Sequence, residues 1–143
     1  MPVANQLEAA LKSLLATASI TAVNTGQSAD DLDAASYIVD VTQGDEYPQD
    51  TGNYRCKVIV ELKTPGDKDN AGTSPLAGHK TAFDALRDAL DTDDLPSRLS
   101  GAVTGLFVFA NSITGRSVTS GVQGRLFVSK WEFDCVACEA DLA

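Results

Sequence analysis

Two of the three cysteines form the most suggestive short motif in the sequence, the C-x-x-C pair of Cys135 and Cys138. Such a pair can hold zinc or act as a redox dithiol. A zinc site needs two more ligands, and beyond this pair the chain offers only Cys56 and His79 as thiol or imidazole donors. The surrounding residues alternate as in a β-strand, which would point the two side chains to opposite faces. We therefore expect small buried or half-buried cysteines, with no metal and no cofactor, and we keep a thiol or zinc protein as an alternative.

The only histidine, His79, could act as a general base if a nucleophile and an orienting carboxylate accompanied it. No G-x-S-x-G or comparable motif is present. The histidine lies instead on the apolar stripe of a predicted helix. We expect a structural histidine that is hydrogen-bonded near the edge of a sheet.

Acidic residues are clustered in three segments that could hold calcium. None of them has the spacing of a calcium-binding loop, which ends in a bidentate Glu, so solvated loops explain them better. The phosphate-binding motif G-x-x-x-x-G-K-[ST] and the dinucleotide motif G-x-G-x-x-G are both missing from the sequence. We therefore expect no enzymatic activity. The clusters are Asp30-Asp31-Asp33, Asp45-Glu46-Asp50 and Asp91-Asp93-Asp94.

Length and charge narrow the classes of function. The 143 residues suit one domain spanning 1–143, and the apolar fraction of 43% is ordinary for a folded chain. Asp and Glu number 20 against 11 Lys and Arg, and the net charge of −9 opposes binding to phosphate backbones. No stretch is apolar enough to span a membrane, no leader opens the chain, and an odd number of cysteines suits a reducing compartment. We expect a soluble intracellular product that binds neither membrane nor specific DNA.

The first half of the chain predicts one helix, a polar loop and two strands. Apolar residues recur at helical spacing on one face of the first 18 residues, and the segment 24–33 is polar and predicts a loop. Residues 35–42 and 54–63 are strand candidates, joined by an acidic tip too long for a tight hairpin. In the second strand the predicted core face is Tyr54, Cys56, Val58, Val60 and Leu62, and the predicted solvent face carries Arg55, Lys57, Glu61 and Lys63.

The second half predicts a mobile loop, a helix and further strands. Residues 64–73 have almost no apolar side chain and predict a mobile loop, after which Ser74-Pro75 opens a helix. Residues 105–113 and 126–138 are strand candidates, and 114–124 predicts a hairpin arm or β-bulge. The order predicts an α+β fold, with an antiparallel or mixed sheet of about four strands and two helices packed on one face. The predicted apolar stripe of the second helix is Leu76, His79, Phe83, Leu86 and Leu90, and residues 95–99 add one possible further turn.

Four segments together resemble the tail-terminator and tail-completion proteins of tailed bacteriophages. They are the N-terminal helix 6–16, the block 52–62 entering a strand, the helix that His79 opens and that ends at 85–91, and Gly124-Arg125 before a long final strand. The resemblance spans most of the chain. It implies an α+β subunit that forms a ring, commonly a hexamer, which caps the tail tube and joins it to the head.

The resemblance also implies the partners and the location. The partners are other copies of the chain, the tail tube protein and the neck or connector proteins, while DNA passes through without specific binding. The location is the tail or neck region of the virion, assembled in the host cytoplasm. An excess of acidic residues suits a channel through which DNA slides, because negative side chains do not bind its phosphates. A head-completion or stopper protein of the neck is one alternative, and an acidic inhibitor-type binding protein is another.

Two loops predict the interaction surface. Asp45, Glu46 and Asp50 surround Tyr47 at the acidic tip, a composition that suits a partner contact. The loop 64–73 would reach outward as an arm between subunits and become ordered only there. The predicted surface residues are Asp45, Glu46, Tyr47, Asp50, Asp67, Lys68 and Asp69.

Overall fold

The computed structural model describes residues 3–20, 23–25, 36–46, 51–66, 75–123 and 126–139, and the fold follows from these. Three helices are present in this part of the chain: α1 (Val3–Thr17), α2 (Pro75–Leu90) and α3 (Leu95–Ala102). The same residues form six strands: β1 (Val23–Thr25), β2 (Ser36–Glu46), β3 (Tyr54–Pro65), β4 (Leu106–Val108), β5 (Thr114–Gln123) and β6 (Leu126–Glu139). The class is α+β, as predicted.

The strands form one mixed sheet in the order β1-β2-β3-β6-β4, with β5 also paired to β6. Only the β1–β2 pair is parallel among the described strands. The long β3 and β6 lie at the centre and pair over twelve registered positions, from Tyr54 opposite Ala137 to Pro65 opposite Leu126. The sheet therefore has more strands than the four predicted, and α3 is a third helix where one extra turn was expected.

One face of the sheet and the helices above it make the core. Alternate residues of β3 and β6 point inward, as the sequence predicted, and the leucines of α1 close over them. Burying such a face is the main source of stability in a fold of this kind. The central members of the core are Leu7, Leu11, Val39, Cys56, Val58, Val60, Leu62, Leu86, Leu90, Phe133 and Cys135.

The prediction that Lys63 lies on the solvent face of β3 is wrong. Lys63 is only 2% exposed, and its Nζ lies 3.4 Å from the Oε1 of Glu61. The other carboxylate oxygen of Glu61 lies 3.5 Å from Nζ of Lys130. A lysine can be buried when a carboxylate compensates its charge, and simple alternation of polar and apolar residues does not reveal such a pair.

Three predicted boundaries are also corrected. Asn24 and Thr25 belong to β1, so the polar loop starts later than predicted. Thr64 and Pro65 extend β3 through pairing with β6, so the predicted loop cannot start at Thr64. The strand predicted over 105–113 ends at Val108, where Phe109 to Ser112 turn the chain and Asn111 takes a left-handed φ of 62°.

The predicted arm 114–124 is the strand β5. It runs antiparallel to β6 for almost its whole length, and the register shifts between Thr114 and Ser117. Gly115 lies in this irregularity with a φ of 66°, a conformation that favours glycine. The hairpin-arm and β-bulge alternatives are therefore both correct for this segment.

Candidate interaction surfaces

The acid-bearing end of β2 lines a shallow groove of about 410 Å³. Asp45 is exposed and Glu46 is half-buried there. The carboxylate of Glu46 accepts a hydrogen bond from the backbone N–H of Gly52 at 2.9 Å, which ties the two ends of the hairpin connection together. Arg55 and Lys57 of β3 line the same groove, so it offers both signs of charge to a partner.

The structure thus brings together two of the predicted surface residues and leaves the others outside its description. Asp45 and Glu46 lie side by side at the end of β2. Tyr47, Asp50 and the segment Asp67-Lys68-Asp69 lie outside the described residues.

A second groove of about 520 Å³ adjoins the first, because Arg55 and Asp134 line both. Its wall is the turn 109–112, which is fixed to β6 by hydrogen bonds. Phe109 N–H donates to the carbonyl of Val136 at 3.0 Å, and Val136 N–H donates to Oγ of Ser112 at 3.1 Å. The two grooves therefore form one continuous surface at this end of the sheet, with polar and apolar side chains in its lining.

His79 is buried and structural, as predicted, but it bridges the central strands β3 and β6 and not the predicted edge of the sheet. Its Nδ1 lies 2.7 Å from Oγ1 of Thr64, and its Nε2 lies 2.7 Å from Oγ of Ser129. The Ser129 hydroxyl also lies 2.9 Å from Oγ of Ser120 on β5. Burial lowers the pKa of His79, so the imidazole is kept neutral, with one nitrogen donating and the other accepting.

The pair of Ser129 and His79 has the spacing of a nucleophile and a base. The group on the far nitrogen is the hydroxyl of Thr64 where a carboxylate would be expected for catalysis, and Ser129 is only 2% exposed. Both side chains border a groove of about 350 Å³ between α2 and β5, but the histidine has no carboxylate partner among the described residues. The arrangement therefore serves to fasten α2 to the sheet.

The three cysteines are buried free thiols. Burial raises the pKa of Cys56 to about 11 and that of Cys135, with Cys56 and Asp134 adding to the effect, to about 12. Cys56 and Cys135 are register partners across β3 and β6. Such thiols stay protonated and unreactive at neutral pH, since the thiolate is the reactive form. Among the described residues, no group of three His, Cys, Asp or Glu side chains is placed to hold a metal ion.

A surface that the sequence reasoning missed lies on β5. We define the β5 face as Leu76 of α2 together with Val118, Ser120 and Val122. Leu76 is 48%, Val118 47% and Val122 71% exposed, and they are the exposed large apolar side chains of the described residues. The predicted core role of Leu76 is therefore wrong, because the start of α2 extends past the part of the sheet that it covers. The alternation of Val118 and Val122 within a predicted arm was the signal that could have revealed this face.

None of the helices in the described part of the chain is long and apolar enough to cross a membrane.

The chain is a small α+β protein with two adjoining grooves at one end of its sheet and an exposed apolar face on β5. Its fold is similar to that of a chain in the solved structure of the virion of a native gene transfer agent (GTA) particle, with a TM-score of 0.60 and 18% sequence identity. The similarity covers 95% of this chain and 97% of that chain. No protein-family model matches the sequence. The comparison with curated proteins gives no match either.

Proposed function

We propose that the chain is a structural virion protein of a tailed phage or phage-like particle. In this role it is a single-domain tail terminator that forms a ring, commonly a hexamer, capping the tail tube and joining it to the head. One observation carries the proposal: the chain shares its fold, over nearly the whole length of both proteins, with a component of a GTA virion structure.

The charge of the subunit supports this role. With a net charge of −9, a ring of such subunits presents mostly negative potential, so DNA can pass without sticking to the wall. The grooves at Arg55 carry mixed charges and suit contacts with a tail tube protein or a neck protein.

The chemistry of the described residues supports a non-enzymatic role. The histidine and Ser129 are buried in a network of hydroxyl groups, and the thiols of Cys56 and Cys135 are buried with raised pKa values. The hydrogen bonds of His79 join α2 to the sheet, and the thiols pack in the core.

The position at the end of the tail can be tested in the genome that encodes the chain. Deleting the gene should give particles in which heads and tails are not joined, with tails of irregular length because nothing caps the growing tube. Electron microscopy of the particles provides the measurement. Unjoined tails of uniform length would indicate a stopper protein of the neck, and joined particles of normal shape would contradict a role in head-to-tail joining.

A further inference from the structure

Two of the buried cysteines lie directly opposite each other on the two central strands. Cys56 of β3 is the register partner of Cys135 of β6, and the two residues are 0% and 1% exposed. Side chains that are directly opposite in an antiparallel pair point to the same face of the sheet. Both thiols therefore lie side by side on the core face.

The hydrogen bonds of Val136 show how β3 and β6 face each other at this point. Val136 donates its N–H to Oγ of Ser112, and its carbonyl accepts from the N–H of Phe109. Both of its backbone groups therefore point away from β3, toward the side of β6 on which β4 lies. Because these groups alternate along a strand, those of Cys135 point toward β3. Cys56 and Cys135 are thus a hydrogen-bonded pair of the ladder, in which the Cα atoms lie about 5.5 Å apart.

This spacing matches the geometry of a disulfide bond. Disulfides join Cα atoms that are about 4.4 to 6.8 Å apart, most commonly about 5.5 to 6 Å. The Cβ atoms of opposite residues lie about 4.5 to 5.5 Å apart and those of a disulfide about 3.5 to 4.5 Å, so an approach of about 1 Å is enough. Cys56 also contributes to the raised pKa of Cys135, as expected for two sulfur atoms that lie close together.

The third cysteine cannot replace either partner. Cys138 lies three residues after Cys135 on β6, which is about 10 Å along the strand. An odd separation also places its side chain on the opposite face of the sheet from Cys135 and Cys56. Cα atoms more than about 7 Å apart cannot be bridged without movement of the backbone. Of the three possible pairs, Cys56 with Cys135 is therefore the one that meets the requirement.

We propose that Cys56 and Cys135 are a site of disulfide formation, which a low-molecular-weight disulfide such as oxidised glutathione closes while the chain folds. The thiolate of one cysteine attacks a sulfur of the reagent and releases one glutathione. The thiolate of the other cysteine then attacks the protein sulfur of this mixed disulfide and releases the second glutathione. The two protein sulfurs are oxidised, the two sulfurs of the reagent are reduced, and the two thiol protons pass through the solvent to the released glutathione.

Burial decides when this reaction can take place. In the folded chain both thiols are shielded and protonated, since burial raises the pKa of Cys56 to about 11 and that of Cys135 to about 12. In the unfolded chain they are exposed and their pKa is ordinary, so they react readily. The chain therefore keeps the redox state in which it folds. It is a dithiol after folding in a reducing compartment and a disulfide after folding in an oxidising one.

Refolding in glutathione tests which cysteines pair. The wild-type chain is diluted from urea into glutathione that is mainly oxidised, the remaining thiols are blocked with iodoacetamide, and peptide mass spectrometry identifies the bond. We expect a disulfide that joins the peptides of Cys56 and Cys135 and leaves Cys138 outside it. A bond that includes Cys138, or a wild-type chain that folds without any internal disulfide, overturns the proposal.

A matched variant tests the register. Cys56→Ser combined with Val58→Cys keeps one thiol on the core face of β3 but moves it opposite Phe133. The new thiol lies diagonal to Cys135, with Cα atoms about 7 to 8 Å apart, so this variant should form no disulfide with Cys135. A bond formed as readily as in the wild type would show that the opposite placement is not the cause.

The rate of oxidation tests the timing. The folded dithiol, placed in the same glutathione buffer without urea, should form the bond about tenfold more slowly, or slower still, than the chain forms it during refolding. Equal rates would overturn the claim that the redox state is fixed when the chain folds. Both results are independent of whether the subunit forms a ring.

Discussion

The Nε2 of His79 lies 2.7 Å from the Oγ of Ser129, so one buried imidazole fastens α2 to β6. Because Thr64 of β3 holds the other nitrogen at the same distance, the histidine spans the two central strands. Three elements that are distant in sequence meet at this ring. The fastening also holds α2 beside β5, and the two elements border one groove.

Replacing the histidine should destabilise the fold. His79→Ala removes two buried hydrogen bonds and leaves a cavity, and we expect a loss of about 3 kcal/mol in the free energy of unfolding. Urea denaturation followed by circular dichroism measures this. The matched variant Ser120→Ala removes only the outer hydroxyl of the network and should cost about 1 kcal/mol or less. Equal losses for the two variants would contradict a central role for the imidazole.

The same histidine predicts a pH dependence. Burial lowers its pKa below the ordinary 6.5, so below pH 6.5 the unfolded chain takes up a proton more readily than the folded one. The stability that this group contributes is complete above that pH and decreases as the pH falls through it toward the folded-state pKa. The difference in free energy of unfolding between wild type and His79→Gln should therefore shrink between about pH 7.5 and about pH 5.5. A difference that stays constant would show that the pKa is not lowered.

Two glycines should respond in opposite ways to alanine. A Cβ on Gly44 would lie 2.8 Å from the backbone oxygen of Arg55, so Gly44→Ala must shift the β2–β3 pairing and should cost about 1 to 3 kcal/mol. Gly101 has nothing within 4 Å of an added Cβ and lies in α3, so Gly101→Ala should stabilise by up to about 1 kcal/mol. Thermal unfolding of both variants checks the prediction. A stabilised Gly44→Ala variant would be inconsistent with the close approach at Arg55.

The cysteines should matter for packing and not for assembly. Cys135→Ala together with Cys138→Ala removes two buried sulfur atoms, and we expect a loss of about 1 kcal/mol for each, with the oligomer unchanged. In the folded wild type the three thiols should not react with a thiol reagent until urea unfolds the chain, because all three are buried. Rapid labelling of the native protein, or stoichiometric zinc lost in the double variant, would contradict this.

Two variants at the acid-bearing end of β2 should distinguish an effect on assembly from an effect on the stability of the fold. Asp45→Asn removes an exposed charge and should weaken association with little change in unfolding. Glu46→Gln should also cost about 1 kcal/mol in stability, because the carboxylate accepts the hydrogen bond of Gly52. Native mass and urea denaturation on the same samples give the comparison. Full assembly of an Asp45→Asn and Glu46→Gln double variant would mean that these two carboxylates take no part in association.

The strands and helices were largely predictable because local patterns dictate them. The alternation in β3 and β6 identified the core face, and the spacing in α1 identified its buried stripe. The burial of Lys63 was not predictable, since it depends on Glu61 and on the packing around them. The strand β1 was missed and β4 was predicted too long. Each has only three residues, which is too few to show a clear alternation of polar and apolar side chains.

The candidate surface was only partly predictable for a similar reason. Asp45 and Glu46 were identified from the composition of the segment. Composition gives the residue types of a surface but not the residues that lie next to it in the fold. The exposure of Val118 and Val122 depends on where α2 ends its cover of the sheet, and this is set by tertiary packing through His79. The partners of His79 come from positions 64 and 129, and no local motif connects them.

The mass of the native assembly tests the central claim most directly. Native mass spectrometry of the purified wild-type chain, across a range of concentrations, measures how many 15.0 kDa subunits associate. The account predicts one closed oligomer of fixed number, commonly six, whose size does not grow with concentration. A chain that remains a 15.0 kDa monomer throughout would contradict the claim, and so would aggregates without a limiting size.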